Sequence, residues 1–380
     1  MGKILPDMRK LVFVAILLYA YPLKAQLYIN PGVDTLDTDV KTAIGFYQKY
    51  LNEFPKVRLP DFKEYWPAKD LIKYKVPDPI VYGISGDYPT YKFQYKPTIF
   101  YIKPAKEFIH IKTQFSSIDS LKNISTLCIT NHYIGFDPKG KPFFVSPVEI
   151  NAKNWKTTKV RNLTYRYPSY HNFNQKRADS LIRQIINLEK IWELKPIDIT
   201  YYFANTFEEI QNLRGFDFTI GLGNRDKPTG ISDDRDDIIY SAGNGENHFH
   251  EVVHIYLNRH FPKSPLLEGL AVFYGGSLGK DLSWHLKRLN TYLIQHPEIN
   301  LNQLEDFWRL DNYTNPGTAI EGMLCNMAFK KAGLAGLKKI LSHPNMDEVF
   351  KEEFGLTKNE LNTWLRKTIA EQAIATTIGR

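Results

Sequence analysis

The segment that decides the fold is His248-Phe-His-Glu-Val-Val-His-Ile-Tyr-Leu257. On an α-helix, residues four apart lie one turn above each other, so His250 and His254 point to the same side and can bind one ion. Glu251 lies about 100° round the helix, where a carboxylate can touch a metal-bound water without taking a coordination position. The remaining positions are apolar, and we therefore expect a buried helix whose imidazole pair lies in an interior wall.

A second element, Pro265-Leu-Leu-Glu268-Gly-Leu-Ala-Val-Phe273, follows at a suitable distance. Thirteen residues separate His254 from Glu268. This spacer is long enough to end one helix, turn through Pro262 and Pro265, and begin a helix that returns alongside the first. Glu268 can then complete a His₂Glu ligand set that leaves the fourth zinc position to water, as catalytic zinc sites do. A structural zinc site would close all four positions with protein ligands.

Together the two motifs resemble those of the gluzincin metallopeptidases, in particular the peptidase MA-like members, which carry a His-Glu-x-x-His helix followed by a glutamate helix. The resemblance implies one Zn²⁺ per chain, a water nucleophile and hydrolysis of a peptide or protein substrate. His250, His254 and Glu268 would be the metal ligands, and Glu251 would be the catalytic general base. The spacer before Glu268 is shorter than in thermolysin or the large aminopeptidases, which leaves the subfamily and the substrate open.

Two further features follow from the gluzincin resemblance. In aminopeptidases a Tyr at a Tyr-x-x-Gly helix start donates to the tetrahedral oxyanion, and Tyr313-Thr-Asn-Pro-Gly317 is similar but one residue longer. Tyr313 is therefore a candidate catalytic residue, with a surface or core tyrosine as the alternative. The strand Ile238–Tyr240 lies where the family keeps an edge strand that pairs with extended substrate. The Gly-Ala-Met-Glu-Asn sequence of aminopeptidases is absent, so recognition of a free N-terminus is not expected.

Simpler interpretations of these residues exist. The three predicted ligands could be two core histidines with satisfied hydrogen bonds and a glutamate that favours a helix dipole. In that case, placing the three predicted ligands beside the acidic Glu251 would cost desolvation free energy that no partner offsets. His248 and His260 are expected to be solvated or to support the ligands. The acidic cluster 233–237 lacks a calcium-loop pattern and is expected to be a solvated face.

The sequence before the metal motif predicts an α+β architecture with two domains. Residues 27–167 read as a helix-plus-antiparallel-sheet domain, which resembles the cone-shaped nuclear-transport-factor-two-like fold. Its helix and strands are expected at 43–51, 98–103, 107–115, 124–130, 142–146 and 160–167. The turn sequence Asp137-Pro-Lys-Gly140 predicts a hairpin.

Residues 168–380 read as a zincin-like metallopeptidase domain with a small sheet, a metal-binding helix and C-terminal helices. Apolar residues at helical spacing predict an amphipathic helix over 174–194 that Pro196 stops. A strand over 197–203 and a short helix capped by Asn205 or Thr206 follow. Phe216–Ile220 reads as another strand of this domain, and 221–237 reads as a polar loop. The gluzincin resemblance extends over residues 171–345.

The N-terminus predicts export. Residues 1–25 combine a basic start, an apolar run and a small residue at Ala25, the pattern of a cleaved secretory signal peptide. A signal-anchor helix is the alternative, although the run is about half of the ~20 residues that a membrane span needs. No later segment is apolar enough to span a bilayer, and we expect a soluble periplasmic or extracellular protein.

Composition excludes some classes of function and leaves others open. The formal net charge of +8 is spread along the chain, without a recognisable nucleic-acid-binding module. Cys128 and Cys325 are expected to be buried thiols rather than a disulfide. The alternatives to a peptidase are a catalytically weak zincin-like module, whose N-terminal domain binds a protein or polymer, and a zinc hydrolase of non-peptide amides or esters. The sequence does not define the oligomeric state.

Overall fold

The computed structural model describes residues 27–54, 59–80, 96–220, 227–302 and 313–374, so the predicted signal peptide lies outside the described residues. The described chain is of mixed α+β class, as predicted, with two mixed sheets and eleven helices. It forms two compact units. The first contains the described residues within 1–73, 77–147 and 215–221, and the second contains those within 74–76, 148–214 and 222–380.

The first unit is built on a six-stranded sheet whose order is β1-β2-β3-β4-β5, with β9 also paired to β4. Its strands are β1 (Tyr28–Ile29), β2 (Lys96–Pro104), β3 (Ile109–Ile118), β4 (Ile124–Phe136), β5 (Pro142–Val145) and β9 (Phe216–Thr219). Residues alternate between buried and partly exposed along β3, which is the pattern of a sheet with one covered face. Aromatic rings cover that face, and Phe46 and Tyr50 of helix α1 (Thr38–Leu51) each lie 4.8 Å from the Phe144 ring.

The second unit contains a five-stranded sheet whose order is β10-β11-β8-β7-β6. Its strands are β6 (Lys156–Val160), β7 (Leu163–Tyr167), β8 (Ile199–Ala204), β10 (Thr229–Asp233) and β11 (Ile238–Ala242). The central strands β7, β8 and β11 run parallel, and β10 pairs antiparallel to β11 as the outer strand among the described residues. Strand β11 is buried along its whole length, as expected of a strand covered on both faces.

Helix α2 (Ala68–Lys73) belongs to the first unit. The remaining helices belong to the second unit, apart from the first residue of α3, and are α3 (Pro147–Asn151), α4 (Gln175–Trp192), α5 (Phe207–Leu213), α6 (Phe249–Leu257), α7 (Leu267–Gly275), α8 (Leu282–Gln295), α9 (Pro316–Leu341), α10 (Met346–Glu348) and α11 (Lys358–Ile374). Thr206 caps α5 in a capping box with Glu209, which decides between the two predicted caps. Helix α4 ends at Trp192, before the predicted stop, because Glu193 adopts a left-handed conformation.

Several strands differ from the sequence prediction in the sheet that they join. The predicted strand 160–167 corresponds to β7, which pairs with β8 and lies in the second unit, whereas residues up to Pro147 and 215–221 lie in the first. Strand β9 pairs with β4 of the first unit, although its sequence suggested the second domain. The predicted polar loop 221–237 contains strand β10, and the predicted edge strand Ile238–Tyr240 is interior because β10 covers it.

Other predictions from the sequence are confirmed. The hairpin at Asp137–Gly140 connects β4 to β5, with Gly140 at a positive φ. Cys128 in β4 and Cys325 in α9 are buried and are not joined in a disulfide. Among the described residues, no helix combines the length and the apolar character that crossing a bilayer requires.

Candidate metal centre

Helix α6 is buried on every side, as its apolar sequence predicts. All nine residues from Phe249 to Leu257 are buried, including His250, Glu251 and His254. His250 and His254 lie one turn apart, and their ring centroids are 4.9 Å from each other. The helix therefore presents two imidazoles side by side within the protein interior.

Helix α7 approaches α6 closely because a glycine lies at the contact. A Cβ atom on Gly275 would lie 2.6 Å from His250 Cα and closer still to its backbone nitrogen. At the other end of α7, a Cβ on Gly269 would lie 2.5 Å from the Glu321 carbonyl carbon and 2.8 Å from the Gly322 nitrogen in α9. Real Cβ contacts are longer, so both ends of α7 require glycine. This close packing brings Glu268, in the first turn of α7, to the histidine pair.

The donor atoms of His250, His254 and Glu268 converge on one point. The two Nε2 atoms are 3.2 Å apart, and Glu268 Oε2 lies 3.3 Å from His250 Nε2 and 3.5 Å from His254 Nε2. Tetrahedral zinc, with bonds of about 2.0–2.1 Å, would hold its donors about 3.3–3.4 Å apart. The spacing of the three atoms is therefore close to that required by a single zinc ion. Within the described chain, these three residues form a group that could hold a metal ion.

Hydrogen bonds at the far side of each imidazole fix the direction of its lone pair. His250 Nδ1 donates to the Gly276 carbonyl at 2.7 Å, and His254 Nδ1 donates to Asn258 Oδ1 at 3.1 Å. In the neutral tautomer this leaves both Nε2 atoms as acceptors. Two lone pairs and a carboxylate oxygen then face one another, an arrangement that a cation would stabilise. Such hydrogen bonds are typical partners of metal-bound histidines.

The three predicted ligands differ in exposure. Both imidazoles are buried, and the Glu268 carboxylate lies against them although 56% of its side chain is exposed. Burial alone would raise the pKa of the Glu268 carboxyl, but its contacts with the two imidazoles hold that pKa well below its ordinary value. Glu321 accepts from the Gly269 nitrogen at 3.1 Å, and burial together with the Glu268 charge raises its pKa to about 7.

Glu251 lies beneath the outer strand β10. A Cβ atom on Gly230 would lie 2.6 Å from Glu251 Oε1 and 2.5 Å from His248 Cε1, so a larger residue here would displace these two side chains. The Ser232 hydroxyl, two residues further along β10, contributes to lowering the pKa of the Glu251 carboxyl. Burial raises the pKa of Glu251 more than the neighbouring imidazoles lower it. A buried carboxylate with a raised pKa is suited to general-base catalysis.

His248 supports the start of α6 rather than facing solvent. Its Nδ1 lies 3.0 Å from Ser241 Oγ and 3.2 Å from Asn244 Nδ2, and its Nε2 is 3.8 Å from Glu251 Oε1. Burial and the two neighbouring imidazoles lower the pKa of His248 to about 3. His248 is therefore a buried neutral side chain beside Glu251.

The loop that leads into α6 is anchored by a buried carboxylate that the sequence did not single out. Glu246 accepts from the Asn174 backbone at 2.7 Å and from His171 Nε2 at 2.8 Å. Tyr165 and Tyr201 of the sheet donate to the Glu246 and Gly245 carbonyls. These bonds connect the start of the metal helix to the sheet.

Three other sequence predictions have different outcomes. Tyr313 lies just before α9 and is 37% exposed, with the Lys227 ammonium 5.0 Å from its ring centroid; its role as an oxyanion donor stays a prediction. His260 lies in the exposed turn after α6. The acidic cluster 233–237 forms the turn between β10 and β11, where Asp236 accepts from the backbone nitrogens of Lys75 and Val76 and therefore has a structural contact.

No protein-family model, curated protein sequence or solved structure matches this chain. The functional interpretation therefore rests on the geometry of these residues. The glycines at 230 and 275 and the carboxylate at 246 belong to that geometry. A single sequence carries little signal for them, because the role of each depends on what packs against it.

Proposed function

We propose that the protein is an exported zinc metallohydrolase of gluzincin type, and specifically a peptidase with a zincin-like second domain. The observation that carries the proposal is the convergence of His250 Nε2, His254 Nε2 and Glu268 Oε2 at tetrahedral spacing. Two further observations support it. Each imidazole has a hydrogen-bond acceptor at Nδ1, and the side chain of Glu268, the third predicted ligand, is 56% exposed.

Each side chain then has a separate role. His250, His254 and Glu268 hold the metal, which supplies Lewis acidity and makes water acidic enough to lose a proton near neutral pH. Glu251 accepts the proton of the attacking water and later delivers it to the leaving amine. We assign Tyr313 to the hydrogen bond that stabilises the oxyanion. The segment before α9 is tied to the metal region, because Thr314 bonds His285, which in turn bonds the Ser277 carbonyl.

Strand β10 favours a peptide over other amides and esters as the substrate. It is one of the two outer strands of the second sheet among the described residues, and Gly230 brings its backbone against Glu251. An extended peptide can pair with such an edge through main-chain hydrogen bonds. Pairing at β10 would carry a scissile amide past the general base.

The first experiment compares the mature wild-type protein with Glu251→Gln and with the exposed control Glu298→Gln. We expect one zinc per chain in all three by elemental analysis. Cleavage of a mixed peptide library should fall by about 10²–10⁴-fold in Glu251→Gln, because the general base is lost. The control should cleave as the wild type does.

The other outcomes separate the alternatives. If the protein binds one zinc per chain but cleaves only ester or non-peptide amide substrates, the result would indicate a different hydrolase. Zinc without any hydrolysis would indicate a binding module. Absence of zinc from protein purified without chelators would contradict the proposal.

A further inference from the structure

Helix α7, which carries the predicted ligand Glu268, begins without a cap of its own. The residue at its N-cap is Leu266, whose side chain accepts no hydrogen bond from the first turn. The first backbone N–H groups of a helix have no partner within the helix, and the side chain of a serine, threonine, asparagine or aspartate commonly accepts from one of them. Because leucine offers no acceptor, a capping bond for α7 has to come from another element.

Glu321 of α9 supplies that acceptor. Its Oε2 accepts from the Gly269 nitrogen at 3.1 Å, and Gly269 is the third residue of α7, one of the two positions that a capping side chain serves. The helices approach closely enough for this bond because glycines lie where they meet. A Cβ on Gly269 would lie 2.3 Å from Glu321 Cβ, and a Cβ on Gly322 would lie 3.3 Å from the Gly269 carbonyl oxygen.

The bond acts on the peptide group next to the predicted ligand. The Gly269 N–H belongs to the planar peptide group that follows the Glu268 Cα, so holding its direction also holds the backbone from which the Glu268 side chain extends. Packing does little to hold that side chain, since 56% of it is exposed. Its Oε2 nevertheless lies 3.3 and 3.5 Å from the two histidine nitrogens. The backbone bond therefore contributes to this placement.

Packing between α7 and α9 does not by itself account for a carboxylate at position 321. Burial and the charge of Glu268 raise the pKa of Glu321 to about 7, because both disfavour the ionised form. Gly269 is its one hydrogen-bond partner among the described residues. An apolar side chain could fill the same space without the desolvation cost of a carboxylate. The acceptor is therefore the useful part of this side chain.

We propose that Glu321 is a positioning residue for the metal site, which holds the first turn of α7 so that Glu268 meets the two imidazoles. In this role it contacts neither the metal nor the substrate and acts through the backbone of Gly269. The proposal rests on the proposed function, since it concerns the third ligand of the same site.

The test compares zinc affinities, measured by competition with a chromogenic chelator, among substitutions at position 321. Glu321→Met keeps the length of the side chain but removes the acceptor, and we expect zinc affinity to fall by about 10–100-fold, as it does when supporting contacts are lost at other metal sites. Glu321→Ala removes the acceptor without replacing its bulk and should give a loss of the same order. Glu321→Gln keeps a carbonyl oxygen for the Gly269 N–H and should restore zinc affinity to near the wild-type value.

Cobalt reports the ligand set by a second route. The visible absorption of the Co²⁺-loaded protein depends on the number and geometry of the ligands. We expect the absorption bands of tetrahedral Co²⁺ to weaken in Glu321→Met, because Glu268 is no longer held beside the imidazoles. Glu321→Gln should keep the wild-type spectrum.

Asn326→Leu is the matched control on the same helix. Asn326 is buried, and its amide donates to Gln372 Oε1 at 3.4 Å, so the substitution removes a hydrogen bond between α9 and α11 rather than between α9 and α7. We expect it to lower the urea midpoint of the metal-free protein. Zinc affinity and the Co²⁺ spectrum should stay as in the wild type.

The outcomes distinguish positioning from a merely structural role and from the proposed reaction. Wild-type zinc affinity in Glu321→Met would overturn the proposal, as would equal losses of affinity in Glu321→Met and in either Glu321→Gln or Asn326→Leu. A loss confined to Glu321→Met and Glu321→Ala would support it even if the wild type cleaved no peptide, because zinc affinity is measured without cleavage. Absence of zinc binding by the wild type would overturn both this proposal and the proposed function.

Discussion

At the residue scale, Gly275 controls the distance between the two helices that carry the predicted ligands. A Cβ at this position would meet backbone atoms of His250, which cannot move independently of α6. We expect Gly275→Ala to push α7 away and to lower zinc affinity by about 10–100-fold, as the loss of a supporting contact does at other metal sites. Competition with a chromogenic chelator measures this change.

Gly45 provides the matched control for Gly275→Ala. It lies within α1 and has no atom within 4 Å of an added Cβ. Gly45→Ala should leave zinc affinity unchanged and raise the free energy of unfolding by about 0.5–1 kcal/mol, because alanine favours a helix. Wild-type zinc affinity in Gly275→Ala would contradict the role assigned to the glycine contact.

The predicted ligands and these glycines differ in how far the sequence could predict them. His250 and His254 are four residues apart on a helix, and Glu268 begins the next one, so helical geometry alone suggested their convergence. The structure brings their donor atoms within 4.8 Å of one another. Gly230 and Gly275 matter because of the residues that pack on them, which no local pattern reveals.

At the scale of elements, Glu246 fixes the loop that leads into α6. Its carboxylate is buried and accepts hydrogen bonds from the Asn174 backbone and His171. We expect Glu246→Gln to lower the free energy of unfolding by about 1.5–3 kcal/mol, since it weakens hydrogen bonds to a buried charge. Urea denaturation checks this value. The control is Glu371→Gln, which removes one member of an exposed pair with Lys367 and should change the free energy of unfolding by about 0.5 kcal/mol or less. Equal effects of the two substitutions would refute the role given to Glu246.

Helices were easier to predict than sheet membership. The apolar spacing of α4 and the cap at Thr206 are local signals, and both elements formed close to their predicted positions. Strands β7 and β9 were recognised as strands but joined the sheet opposite to the expected one. Pairing depends on partners distant in sequence. All residues of strand β10 are partly buried. Buried and exposed residues therefore do not alternate along it as they do in a strand with one covered face.

At the scale of the whole molecule, the predicted ligands lie entirely in the second unit. Zinc binds the folded site and not the unfolded chain, so it should stabilise the folded second unit by about 4 kcal/mol at a free concentration of 1,000 times Kd. Hydrogen exchange with and without zinc, read by mass spectrometry, should show slower exchange in α6 and α7. Strands β2, β3 and β4 of the first unit serve as the internal reference and should exchange at the same rate in both states. Unchanged exchange in α6 and α7 would contradict the site, whereas slowing confined to the first unit would place the metal there and favour a binding role for that unit.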